Sequence, residues 1–232
     1  MASSGTYAFN LDVGEIIEEA FERTGLEDYT GYDYRTARRS LNLLLTEWIN
    51  RGLNLWTLDL ATQALSTGTS SYTLSTETLD VLDAVIRDGG DSTDTIAERI
   101  GIQEYLKGRS DKTTAGKPTQ FAVERNSNGG HTLYVYPVPD DSTDTFLYWR
   151  IRYMEDVSAT GGNQNVEVPK RFLESLVAGL SYQIALKKLK TDQEGMARIS
   201  LLKADYEACL QRAKDEDRER ASFFVTPYVG RI

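Results

Sequence analysis

The spacing of apolar residues changes twice along this chain. In the segment "LDVGEIIEEAFERTGLEDY", Ile16, Ile17, Ala20 and Phe21 recur at helical intervals. Asp12 and Glu15 form a capping-box pattern at its start, and Gly25 supplies a stop. A second helix is expected from Asp33, with Leu41, Leu44, Leu45, Trp48 and Ile49 on one stripe and Gly52 ending it. The short Tyr/Gly-rich turn between the two predicts an αα-hairpin.

From Trp56 the period shortens to two. "NLWTLDLATQALSTGTSSYTLS", "VLDAVIRDGG", "PTQFAVER", "HTLYVYPVP" and "DTFLYWRIRYME" alternate apolar and polar residues, and "ERNSNGGH" and "PDDSTDT" read as turns between them. The string "DSTDT" occurs at Asp91–Thr95 and again at Asp141–Thr145, and both copies are expected to be solvated hairpin turns. Helical spacing returns after "SATGGNQN". Pro169 suits a first turn, Phe172, Leu173, Leu176, Val177, Leu180 and Ile184 mark a buried face, and Ala178, Gly179, Ser181 and Ala185 permit close packing. A last helix is expected from Gln193, with Met196, Ile199, Leu202, Tyr206, Cys209 and Ala213 at spacings of three and four.

The order helix-helix, strands, helix-helix predicts an α+β protein. Helices at the two ends of the sequence cannot bury their apolar faces alone, so the economical arrangement is a four-helix bundle with an inserted antiparallel β domain. The expected boundaries are an N-terminal helical hairpin over 10–54, the β domain over 55–156, a C-terminal helical hairpin over 168–217 and an extended C-terminal arm over 218–232. The arm follows the charge run "KDEDRERAS" and reads "FFVTPYVGRI". Such an apolar tail has two fates: folding back on its own domain or docking on another subunit.

Composition narrows the function. The formal charge is −9 and the pI about 4.8, which argues against gripping nucleic acid by phosphate neutralisation but suits a surface past which DNA slides. The single cysteine, Cys209, forms no intramolecular disulfide, "MASSGTYAFN" lacks a signal-peptide pattern, and no apolar run is long enough to span a bilayer. A soluble protein of a cytoplasm is the expectation.

Candidate chemistry is sparse. Gly116-Lys117 followed by Thr119 suggests a phosphate-cradling loop, but Asp111 stands where its first glycine belongs and Pro118 where Ser or Thr should hold the metal. His131, the only histidine, follows Gly129-Gly130 and is expected as a surface or half-buried strand residue, and Cys209 as a core thiol. The loops Asp88–Asp94 and Asp140–Asp144 lack the pattern of a calcium loop, and Glu15, Glu18, Glu19 and Glu22 are expected on one wet helix face. Arg35, Arg38 and Arg39, and Lys187, Lys188 and Lys190, fit solvated or partner-facing surfaces. Tyr134, Tyr136, Phe146, Tyr148 and Trp149 raise base or sugar stacking, against which stands the expectation that one face of alternating strands is core. No catalytic, metal or cofactor site emerges.

One further pattern is specific. "GYDYRTARRSLNLLLTEWINRGLNLWTLD" resembles the N-terminal signature of tailed-phage head-to-tail adaptor proteins, also called head completion or tail tubular connector proteins, as in short-tailed phages. "LDAVIRD", "ERIGIQEYL", "DKTTAGKPTQFAVER", "TLYVYPVPDD", "YWRIRYMEDV", "VPKRFLESLVAGLSYQIALKK" and "DRERASFFV" follow in the family's order over roughly residues 10–225; only "NSNGGH" departs, at one hairpin tip. The resemblance implies a virion protein of the neck, assembled in the host cytoplasm as a ring of typically twelve copies below the portal protein. That ring extends the channel for genomic DNA, which passes without sequence-specific binding, and carries the tail nozzle or tail tube protein. It implies a structural, non-enzymatic role without cofactor or membrane. By resemblance of "RASFFV", Arg220, Phe223 and Phe224 are portal or neighbour-subunit contacts; Pro227 and Tyr228 join them on physical grounds. Two other classes compete: a receptor- or glycan-binding tail module using the aromatic strands, and a hydrolase using scattered carboxylates.

Overall fold

The computed structural model describes residues 9–26, 28–53, 55–108, 111–127, 129–158 and 164–217. The chain separates into two compact units: residues 1–47 with 156–232, and the intervening 48–155.

The first unit is helical. Helix α1 (Val13–Thr24) starts at Asp12, whose side chain accepts from the Glu15 amide while Glu15 reaches back to the Asp12 amide; Gly25, at φ 77°, ends it. Helix α2 (Gly31–Asn50) begins two residues before the expected Asp33. The reason is a second capping box, in which the Thr30 amide and hydroxyl both donate to Asp33 Oδ2 at 3.0 Å. After a 3-10 turn at Lys170–Phe172 come α4 (Leu173–Lys188) and α5 (Gln193–Glu216), the latter capped by Asp192 on the Gly195 amide. (Helix α3, Ile102–Lys107, belongs to the other unit.)

Helix α4 is the centre of this unit. Every residue from Leu173 to Ser181 except Glu174 is buried, so the helix is covered on nearly all sides rather than along one stripe. A methyl group built on Gly179 would stand 2.8 Å from Leu44 of α2 and 2.8 Å from the Tyr206 ring of α5, so three helices meet where the side chain is absent. Arg23 of α1 forks onto Glu174 at 3.0 and 3.3 Å, Lys187 and Lys188 donate to Ser40 and Asp33 of α2, and Arg198 of α5 donates to the Arg23 carbonyl at 2.7 Å. The chain returning at Val157 is clamped by Asn42, whose amide accepts from the Val157 N–H at 2.8 Å and donates to its carbonyl at 3.2 Å. The expected stripe of α5 is buried only from Leu202 onward; Met196 and Leu201 are exposed. Helix α1 has ended by Thr24, and the first turns of α5 border an open groove with Leu26 and Leu189 instead of a helix face.

The second unit is a seven-stranded sheet curled around its own core. Its strands are β1 (Leu58–Ala64), β2 (Ser71–Thr73), β3 (Thr78–Arg87), β4 (Asp94–Arg99), β5 (Gln120–Glu124), β6 (Thr132–Tyr136) and β7 (Thr145–Arg152), with α3 (Ile102–Lys107) between β4 and β5. Their spatial order is β1-β7-β3-β4-β5-β6-β2. Leu65, Leu74, Val81, Ile86, Phe121, Leu133, Val135, Phe146 and Tyr148 fill the interior, with Phe121 and Phe146 edge to face at 5.3 Å.

Two sequence expectations need correction here. The sheet is not wholly antiparallel: β4 and β5 run parallel through Glu98↔Gln120 and Arg99↔Phe121. The segment 100–119, carrying α3, brings the chain back beside the last residues of β4, so that β5 begins beside Glu98 and Arg99 and runs on in the direction of β4. The second "DSTDT" is not a hairpin turn, because β6 and β7 are not neighbours; only Asp91–Thr95 joins paired strands. The two copies share local chemistry without sharing topology. Asp91 and Asp141 each accept from the amide and hydroxyl of the threonine two residues on, and so does Asp111.

Two measurements test this framework. Gly179→Leu should cost about 1–3 kcal/mol of unfolding free energy by urea titration, because α4 has no room to yield toward Tyr206. Asp33, held at about 2 by the Lys188 ammonium and the Thr30 donors, contributes stability that is complete above its unfolded value of 3.8 and is lost as pH falls toward 2. Asp33→Asn should therefore flatten the thermal midpoint between about pH 4 and pH 2 relative to the wild type.

Candidate functional site

The five residues expected to contact portal or neighbour, Arg220, Phe223, Phe224, Pro227 and Tyr228, lie outside the described residues. Their point of attachment is described. Helix α5 is followed by its C-terminal cap Asp217, whose carboxylate pairs at 3.2 Å with Arg171 in the 3-10 turn before α4.

Around that point the helical unit carries two adjoining depressions. The first, about 330 Å3, lies between the first turn of α4 and the last turns of α5, bordered by Arg171, Glu174, Ser175, Cys209, Arg212 and Glu216. Ser175 Oγ is buried there without a hydrogen-bond partner, a state that costs about 1–3 kcal/mol unless something bonds to it. The second, about 510 Å3, continues past Glu174 along α1. Phe9, Leu11, Leu173 and Val177 give it an apolar floor, and Glu15, Glu18, Glu19 and Glu22 line it with Glu174, against the cations Arg23 and Lys170. The expected wet face of α1 is thus one wall of a groove. Periodicity could assign those glutamates to one face but not show what stands opposite.

Among the other candidates, the structure turns each toward a structural task. Lys117 donates to Asp88 at 2.7 Å, and the fields of Asp88, Asp91 and Asp144 raise its pKa further after that hydrogen bond. Gly89 stands against Thr143, so Lys117 serves the rims of both "DSTDT" loops and no phosphate. His131 is buried, deeper than expected: Nδ1 accepts from the Asn126 amide at 3.0 Å, which makes Nε2, 3.1 Å from the Leu79 carbonyl, the donor. Gly129 and Gly130, both at positive φ, fold the β5–β6 hairpin tip so that this ring turns inward. The Cys209 thiol is buried, and burial pushes its pKa up, away from thiolate chemistry.

The aromatic strands do not form one platform. Phe146 and Tyr148 are core, Tyr134 tilts against Tyr105 of α3 at 5.1 Å, and Trp149 faces out beside its cross-strand partner Leu60. Ile96 of β4, 79% exposed, lies on the same outer face, two strands from β7. Two charge clusters on this unit are paired: Arg150 forks onto Asp59 and reaches Glu77, and Asp80 takes both Arg99 and Arg125. Among the described residues no group of His, Cys, Asp and Glu could hold a metal ion, and no helix is long and apolar enough to cross a membrane.

These features define an α+β protein whose described surface offers grooves and apolar faces to other polypeptides. The chain belongs to the SU10 adaptor protein family, whose model matches residues 11–229, and is thus a structural adaptor of phage virions. No curated protein matches the sequence. The match covers both units described above and extends into the arm.

His131→Phe should keep the fold but lose about 2–4 kcal/mol in chemical denaturation, since the Asn126 amide and the Leu79 carbonyl both lose their buried partner. A wild-type midpoint would exclude the stapling role.

Proposed function

We propose that this protein is a head-to-tail adaptor in which copies of the chain close into a ring under the portal, with twelve subunits. The ring extends the DNA channel and presents the docking platform for the tail nozzle or tail tube. The observation that carries this reading is the family match over residues 11–229, nearly the whole chain. A ring of this kind uses a heterologous interface that closes on itself, so each subunit needs two different sticky surfaces. The outward Trp149, Leu60 and Ile96 face and the arm beyond Asp217 supply two such surfaces.

In this reading α1, α2, α4 and α5 are a four-helix bundle, made by the hairpins 10–54 and 168–217 around an inserted β domain 55–156. Residues 218–232 form the attachment arm, with Arg220, Phe223, Phe224, Pro227 and Tyr228 contacting portal or neighbouring subunit. The apolar side chains contribute at about 25 cal/mol per Å2 buried. The net charge of −9 keeps the passing DNA from adhering, since an acidic wall repels phosphates. The role is structural, without a reaction or cofactor, and assembly takes place in the host cytoplasm before the virion is complete.

Mixing the purified protein with portal rings and imaging by electron microscopy should show a second, twelvefold ring seated on the portal. Removing residues 221–232 should abolish attachment while circular dichroism still shows a folded monomer. Trimers that ignore the portal, or attachment unaffected by the deletion, would contradict the proposal.

A further inference from the structure

The groove along α1 and the start of α4 has the chemistry of a binding seat. Its walls carry five carboxylates, Glu15, Glu18, Glu19, Glu22 and Glu174, over an apolar floor, against two cations, Lys170 and an Arg23 that pairs with both Glu19 and Glu174. The adjoining cleft at the start of α4 holds the one buried side-chain polar atom among the described residues that lacks a hydrogen-bond partner, Ser175 Oγ. A well-packed helix start does not ordinarily strand a hydroxyl. An incoming polypeptide supplies what is missing: a hydrogen-bonding group for Ser175, apolar side chains for the floor, and positive charge for the walls.

The chain contains one segment of that composition. Residues 218–232 carry Arg218, Arg220 and Arg231 against a single acidic side chain, Glu219, in a protein whose overall charge is −9, and they add Phe223, Phe224 and Tyr228. They also start in the right place. Asp217 is paired with Arg171, and Arg171 and Glu216 border the cleft that holds Ser175. That cleft runs into the acidic groove through Glu174, which lines both. A tethered segment beginning beside its seat experiences a millimolar effective concentration, far above that of a segment from another molecule in dilute solution.

We propose that in the free subunit the groove formed by α1, the first turns of α4 and the end of α5 is the seat of the chain's own residues 218–232. Their arginines face the glutamates of α1 and their aromatic residues lie on Phe9, Leu11, Leu173 and Val177. The seat needs no portal; its consequence rests on the adaptor reading above. With the arm seated, the groove and the arm mask each other's sticky surfaces. A portal or neighbouring subunit has to take the arm out by offering a better site, which restrains the subunit from assembling in its absence.

Phe223 and Phe224 are chymotrypsin sites within the arm, so the rate of cleavage there in the full-length, portal-free protein reports whether the arm is seated. Arg220→Glu with Arg231→Glu should raise that rate by at least about fivefold, because a charge-reversed arm leaves the seat. Glu18→Lys with Glu22→Lys, on the exposed face of α1, should do the same. Combining all four substitutions should restore the slow wild-type rate. The wild-type rate should not change with protein concentration, and sedimentation should show a monomer.

Equal rates in all four proteins would overturn the proposal, as would failure of the combined variant to restore protection. Protection that grows with concentration would assign the groove to the arm of a second copy and overturn docking within one chain. The portal assay separates this from the adaptor reading: Glu18→Lys with Glu22→Lys leaves the arm free and should still seat on portal rings. Loss of portal seating with protection intact would instead count against the adaptor reading alone.

Discussion

Enclosure of α4 is the constraint on which the helical unit depends. A helix buried on one stripe tolerates many sequences, whereas one covered by α1, α2 and α5 has to be narrow wherever a neighbour crosses it. Gly179, between Leu44 and Tyr206, is the narrowest point, and Ala178, Ser181 and Ala185 keep the other contacts short. Polar links lie at the margins, where Arg23 holds Glu174 and the two lysines at the end of α4 reach α2. The segment "VAGLSYQIALKK" is therefore a packing specification first, whatever else the unit does.

The sheet unit solves a different problem. Its two halves pair strand to strand at only two positions, Glu98↔Gln120 and Arg99↔Phe121, and a common apolar core bridges that short seam. Charges that would otherwise crowd an acidic protein are spent locally. Asp59, Asp80 and Asp94 each engage arginine, and the Asp-x-Thr turns fold their own carboxylates onto backbone amides. The outer face keeps Leu60, Trp149 and Ile96 in solvent, which a protein meant to remain alone has reason to avoid.

Much of the helical framework was legible before any coordinates. Asp12 with Glu15 and Gly25 bound α1, and the burial of Leu176, Val177, Leu180 and Ile184 follows from their spacing, since capping and helical period are local properties. The strands were legible for the same reason. Less so was what their ends meet: Thr30 moved the start of α2, α3 is too short for its spacing to announce a helix, and Met196 is exposed in the first turn of α5. The groove was half visible, as four glutamates on one face. The other wall comes from residues some 150 positions later, and no local pattern announces a Glu174 or a Ser175 facing α1 and α5.

Gly116-Lys117 marks the division between the two kinds of knowledge. The sequence by itself excluded a phosphate loop, because Asp111 repels an anion and Pro118 removes a donor, and both are covalent facts. It likewise determined the ends of α1, strand periodicity, net charge and family, each written in residues close together or in composition. Only the tertiary structure decided that Lys117 meets Asp88, that His131 is a buried staple, and that two identical "DSTDT" strings serve a hairpin and a crossover. Strand order is set by which apolar faces share a core, a competition among distant segments that no single stretch of sequence contains.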